Sequence, residues 1–218
     1  MNRSKMLRTT ALALAAGLCT TTWAAEIGRD LRSGQWSQWV YSIPTSVNPL
    51  VDESGQHCMV GQNGSSWKLA PNFGGDSNRS CTVPQGAKLQ FMVAGATYVY
   101  TPGFCGDVPG LSVRDQRAII AAHVDTLTTQ VLLNGQPVPT QRVRSAVFSA
   151  AIPADNLFTL FCGGPGTVPA GVFRSVDDGY FAEIQNLPVG THTLQMLASN
   201  GGGFNQNVVF TLTVVPRP

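Results

Sequence analysis

Three histidines, twelve carboxylates and five cysteines are the residues with which this 218-residue chain could do chemistry. His57 adjoins Cys58 and lies close in sequence to Asp52 and Glu53, a local set that could move a proton. His123 and Asp125 form an HxD pair, but residues two apart on a helix point to different faces and make a poor joint ligand set. His192 alternates with Thr191 and Thr193, as a residue on one face of a strand would. For each histidine the plainer reading is structural: a loop residue beside a disulfide, a helix-surface residue and a strand-face residue. Asp177-Asp178-Gly179 is the densest acidic spot. In a loop it could offer oxygen ligands to Ca²⁺. The competing reading is a turn in which the Asp side chains cap backbone N–H groups. No GxSxG elbow, HExxH helix or papain-like cysteine context occurs. A carboxylate pair for glycoside hydrolysis could be drawn from Asp52, Asp107 and Asp177, as from any chain with this many acids.

The aromatics offer a different chemistry. Trp36, Trp39 and Tyr41 fall within six residues, in a segment from Gln35 to Pro44 whose aromatic and β-branched content predicts a first strand. In a strand Trp39 and Tyr41 share one face and Trp36 points to the other. An exposed row of this kind would stack on the C–H faces of sugar rings. Trp36, Trp39 and Tyr41 are therefore the candidate ligand-binding residues, and a saccharide the candidate ligand. Burial in a core is the commoner use of such side chains and competes with that reading.

These residues need an exported scaffold. Arg3, Lys5 and Arg8 precede an apolar run from Ala11 to Leu18, and Thr22 and Ala24 suit cleavage after Ala24. Residues 1–24 read as a secretory signal peptide, and residues 25–218 as a single secreted or periplasmic domain. The apolar run is shorter than the ~20 residues a membrane span needs, and no other segment approaches that length. Cys19 raises lipidation as an alternative, although Leu18 before it does not suit that processing.

The formal charge of +2 belongs to the leader, because the remainder holds all twelve acids and eleven bases. A nearly neutral chain argues against nucleic acid as a partner. Four cysteines remain, Cys58, Cys81, Cys105 and Cys162, an even count suited to disulfides in an oxidising compartment. Three pairings are possible. Cys58–Cys81, closing a Gly-rich loop region, with Cys105–Cys162, tying the middle to the C-terminal half, is the favoured one.

Gly and Pro make up 37 of the 218 residues, about 17%, and charged residues 12%. Against averages of about 12% and 25%, this favours short strands and turns over helical bundles. Lys88–Tyr100 reads as a buried strand. Ser112–Thr129 is the one credible helix, with Ser112 and Asp115 forming a capping pattern. Asn134-Gly135 marks a hairpin. Val143–Ile152, Phe158–Cys162, Gly179–Asn186, Thr191–Ala198 and Asn207–Val215 read as further strands, and Gly201–Gly203 as a hairpin tip. Residues 45–86 read as a long loop region around Trp67-Lys68-Leu69. The expected fold is all-β with one helix, a disulfide-stapled β-sandwich of immunoglobulin-like or jelly-roll-like kind.

The series Ser42-Ile43-Pro44, Asn48-Pro49, Asp52, Gly55, Cys58, Gly61-Gln62, Gly64 and Trp67 resembles a recurrent pattern of bacterial secreted proteins of uncharacterised activity. The likeness continues through Asp177-Asp178-Gly179-Tyr180, Gly190-Thr191-His192 and the closing Thr211-Leu212-Thr213-Val214-Val215-Pro216. It implies an exported protein and supplies no catalytic residue. One departure is Lys68, where that pattern has an apolar residue. The leading expectation is a non-catalytic ligand- or surface-binding sandwich. The alternatives are a secreted hydrolase using histidines and carboxylates, and a structural component of the cell surface.

Overall fold

Period-two alternation of apolar and polar residues governs most of the chain, and the strands follow it. The computed structural model describes residues 34–163 and 168–217; the signal-peptide reading of residues 1–24 and the lipidation alternative at Cys19 lie outside them. Helix α1 (Gln35–Tyr41) is followed by β1 (Ser66–Leu69), β2 (Gly75–Pro84), β3 (Lys88–Val99) and helix α2 (Val113–Val124). Then come β4 (Thr128–Leu133), β5 (Gln136–Pro137), β6 (Gln141–Arg144) and β7 (Phe148–Ile152). The chain closes with β8 (Gly171–Ile184), β9 (Gly190–Ser199) and β10 (Asn205–Val215).

Two five-stranded sheets face each other, as expected for a sandwich. One runs β1-β3-β8-β6, with β7 also on β8; the other runs β2-β10-β9-β4-β5. Both contain one parallel pair, β1 with β3 and β2 with β10. Leu89, Phe91 and Val93 of the first sheet meet Leu194, Met196, Phe210 and Leu212 of the second in a continuous core. Each such fully buried side chain contributes roughly 1.5–3 kcal/mol. Both disulfides pair as favoured: Cys58–Cys81 and Cys105–Cys162, with Cα separations of 5.9 and 5.1 Å.

The structure corrects several expectations. Gln35–Tyr41 is a helix, because Trp36, Trp39, Val40 and Ile43 are spaced i, i+3, i+4 and i+7 and all turn into one cluster. The fold therefore carries two α-helices among the described residues. Phe158–Cys162 is no strand: Leu157–Leu160 is a 3₁₀ turn whose preceding Asn156 accepts the Phe158 N–H at 3.1 Å. Val143–Ile152 divides into β6 and β7, which occupy successive stretches of the same β8 edge. The region read as loop contains β2, ten residues long and mostly polar. In β1, Trp67 and Leu69 point inward while Lys68 is half-buried on the other face.

Other local readings hold. Ser112 caps α2 by accepting the Asp115 N–H at 3.2 Å. Asn134 and Gly135 take φ of 50° and 78°, the positive values a tight hairpin requires. No helix among the described residues is long and apolar enough to cross a membrane.

The disulfides differ in access. Cys58 and Cys81 are buried in the sandwich core, whereas Cys105 is exposed and Cys162 half-buried. Mild reduction followed by alkylation and mass spectrometry is expected to label Cys105 and Cys162 well before Cys58 and Cys81. Simultaneous labelling of all four would contradict this order.

Candidate functional site

The β3–β8 ribbon positions the chemistry of this molecule. Near its middle Met92 pairs with Phe181 and Ala94 with Tyr180, so Val93 is an extra, bulged residue. Beyond the bulge Gly95 pairs with Gly179. A Cβ on Gly95 would stand 2.6 Å from the Asp178 carbonyl oxygen, so only glycine lets the strands approach there.

Asp177 and Asp178 lie in mid-strand, and this corrects both readings of them as a loop. Consecutive strand residues face opposite sides of the sheet. The two carboxylates therefore do not converge on a common Ca²⁺. Asp178 takes Arg142 in a two-point contact, Nε to Oδ1 at 2.8 Å and an Nη to Oδ2 at 2.7 Å, and Arg144 Nε at 3.0 Å. Arg142 also reaches Asp125 Oδ1 at 2.6 Å. Burial opposes the Asp178 charge, but these guanidiniums outweigh it and hold the carboxyl below the usual carboxylate range.

Asp177 faces α1. Ser37 Oγ donates to its Oδ2 at 2.7 Å and lies 3.0 Å from Thr97 Oγ1, while Oδ1 is buried with no hydrogen-bond partner. Burial pushes this carboxyl up to about 6, although Ser37, Ser145 and Arg117 each work in the other direction. Thr97 also bonds the Tyr41 phenol, which burial pushes up to about 12.

The three aromatics singled out in the sequence do not form an open row. Trp36 and Trp39 are 5% and 7% exposed and meet edge-on, with ring centroids 6.1 Å apart. Their indole N–H groups donate to the backbone oxygens of Leu69 and Val60 at 2.8 and 3.1 Å. Helical spacing brought both onto the buried side, which is why the stacking row expected from strand geometry is missing. Trp36 and the half-buried Tyr41 nevertheless border a cleft of about 260 Å³. Its other walls include Phe73, Met92, Thr97, His123 and Phe204, and no Asp, Glu, Lys or Arg lines it. Phe73, 46% exposed, stands edge-on to Phe161 at 5.0 Å. Phe161 precedes Cys162, so the exposed disulfide fixes the segment that carries it.

The histidines are scattered. His123, exposed on α2, borders this cleft. His57 lines a separate polar depression of about 330 Å³ with Asp52 and Glu53. Asp52 is already committed there: its oxygens accept from Ser54, Gly55 and His57 backbone N–H groups at 3.1, 2.9 and 2.7 Å. Burial works against its charge, but these bonds outweigh it and hold the carboxyl low. His192 is inward and engaged: Nε2 donates to the Pro188 oxygen at 2.9 Å, and Nδ1 accepts from Asn134 Nδ2 at 3.1 Å. It therefore pins the β4–β5 turn. Among the described residues, no group of three or more His, Cys, Asp or Glu is placed to hold a metal ion.

Reasoning from sequence missed Ser37, Thr97, Phe73 and Phe204. Ser37 and Asp177 are 140 positions apart, and no local signal links them. Phe73 and Phe204 each sit beside glycines that read as loop and hairpin tip.

No family model matches the chain, and no curated relative matches it. Several solved structures are similar, two of them as follows. The cysteine protease inhibitor EhICP2 from Entamoeba histolytica matches at 10% identity and a TM-score of 0.26, over 69% of this chain and 96% of that one. Amebosin matches at 9% identity and a TM-score of 0.25, over 70% of this chain and 100% of that one.

Asp177 gives a pH signature with a definite sign. Its folded value of about 6 exceeds the ordinary 3.8, so the folded state holds the proton that the unfolded state releases. The associated stability is complete below about pH 4 and is lost as pH rises through 6, a fall of about 3 kcal/mol. Asp177→Asn is expected to flatten this part of the stability–pH curve and to raise the unfolding temperature above the parent's at pH 7.5. A variant curve parallel to the parent's between pH 4 and 7 would refute the assignment.

Proposed function

We propose that this is an exported, non-catalytic binding protein whose cleft between α1, the β3 bulge and Phe204 takes an uncharged ring-sized group, a saccharide unit. The carrying observation is the wall chemistry. Trp36, Tyr41, Phe73 and Phe204 supply aromatic surface, Thr97 and His123 supply polar atoms, and no ionic side chain intervenes. A sugar ring has the same division, with apolar C–H faces and a polar hydroxyl edge. The volume of about 260 Å³ lies just below the usual range for ligand sites and suits a single ring.

Two disulfides support residence in an oxidising compartment, secreted or periplasmic. The likeness to exported bacterial proteins of uncharacterised activity points the same way. The hydrolase reading has less support, because Asp52, which shares a depression with His57, is consumed by its own loop.

Titration of the exported chain with mono- and oligosaccharides selected on a glycan array is expected to change Trp36 fluorescence. Phe73→Ala, at an exposed rim position, should weaken that binding by about tenfold, as loss of an aromatic contact does. It should leave the unfolding temperature near the parent's. No response to any array hit, or unchanged affinity in Phe73→Ala, would count against the cleft as the site.

A further inference from the structure

The outward face of the β2-β10-β9-β4 sheet has a chemistry the cleft does not use. Its registers align Thr82, Thr213 and Thr191 in one row and Ser80, Thr211 and Thr193 in the next. All six are exposed. Further along, Asp76, Asn207, Leu197 and Gln130 form a row across four strands. At strand spacings of about 4.8 Å this row is roughly 14 Å wide. It crosses an open groove of about 550 Å³, within the range of ligand sites, which Ser199 and Thr128 also line.

Asp76 is the one charged residue at the outward positions of these four strands, and none of those positions is Lys, Arg or aromatic. An exposed sheet face and edge ordinarily carry charges that discourage association. An anionic partner would find no cation here. The complementary partner is neutral, polyhydroxylated and extended. Within the groove Leu197 supplies an apolar floor. Asp76 and Asn207 stand on one side of it and Gln130 on the other. Asn207 is held in place by Gln195, whose Nε2 donates to its Oδ1 at 2.8 Å.

We propose that this face binds a neutral polysaccharide, with one sugar ring over Leu197 and the chain running along the hydroxyl rows. The proposal stands apart from the cleft. Affinity electrophoresis of the exported chain in soluble neutral glucans, xylans and mannans, with anionic alginate alongside, tests it. At least one neutral polymer should retard the protein, and added salt should not release it. An Asn207→Ala/Gln130→Ala double variant should lose about tenfold in affinity, the worth of one or two hydrogen bonds. Phe73→Ala in the cleft should keep the retardation, which separates failure of this face from failure of the cleft. Thr193→Arg, placing bulk and charge on the exposed rows, is a second variant expected to abolish retardation. The proposal is overturned by lack of retardation in every neutral polymer, by unchanged affinity in the variants, or by preference for alginate. It is equally overturned by a dimer that buries this face and that Thr193→Arg dissociates.

Discussion

Two consecutive carboxylates on one strand hold the two sides of this molecule together. Because strand neighbours face opposite ways, Asp177 reaches α1 through Ser37 while Asp178 gathers Arg142 and Arg144 from β6 and its end. Helix α1 spans seven residues, far below the length at which an isolated helix persists in water. It depends on burial of Trp36 and Trp39 and on buried hydrogen bonds from Ser37, from the Trp36 indole and from Asn48 to the Val40 oxygen. Asp178, by contrast, joins a network in which each charge has an opposite partner, and through Arg142 that network reaches Asp125 at the end of α2. One side is thus held by packing around an acid that burial disfavours as an anion, the other by ion pairing.

The parts of the fold legible in the sequence are those where local chemistry and tertiary packing agree. Asn134-Gly135 demands positive φ and forms its hairpin; Ser112 with Asp115 caps its helix; four cysteines pair as loop closure suggests. The failures have identifiable causes. Trp36–Tyr41 has the composition of a strand, but its apolar spacing is helical, and spacing decides which face is buried. β2 is polar at alternate positions and rich in turn-forming residues, yet it forms because β10 offers it a parallel partner for ten residues. Its inward Arg79 illustrates why composition misleads. That buried guanidinium is paired with the carbonyls of Ala70 and Pro71 at 2.8 and 3.2 Å and lies over Phe210, so a charged residue stands at a core position.

The site was legible in residue type and not in arrangement. Trp36 and Tyr41 do border a cleft, but they do so from a helix, and their companions Phe73 and Phe204 come from glycine-flanked turns without periodicity. The groups that looked reactive are largely spent on structure. Asp52 organises its loop, His192 pins a hairpin and Asp178 neutralises arginines. Apart from His123, the walls of the cleft are aromatic, aliphatic, amide and hydroxyl.

The bulge at Val93 lies where the start of β10 meets the first sheet. An extra residue in β3 turns the Val93 carbonyl out of the ladder, and Gln206 Nε2 satisfies it at 2.9 Å. That bond fixes the start of β10 against the first sheet. From there period two largely divides the strand: Phe204 borders the cleft, Asn205 and Asn207 line the groove on the outer face, and Gln206 touches both. This bond thus ties to the first sheet a segment whose alternate side chains serve two separate surfaces. A single-residue slip at this point would exchange the phenyl ring for an amide in the cleft and place apolar surface on the neutral face. The ten-pair ladders that β10 makes with β2 and β9, anchored at their start by the Gln206–Val93 bond, keep the two surfaces chemically distinct.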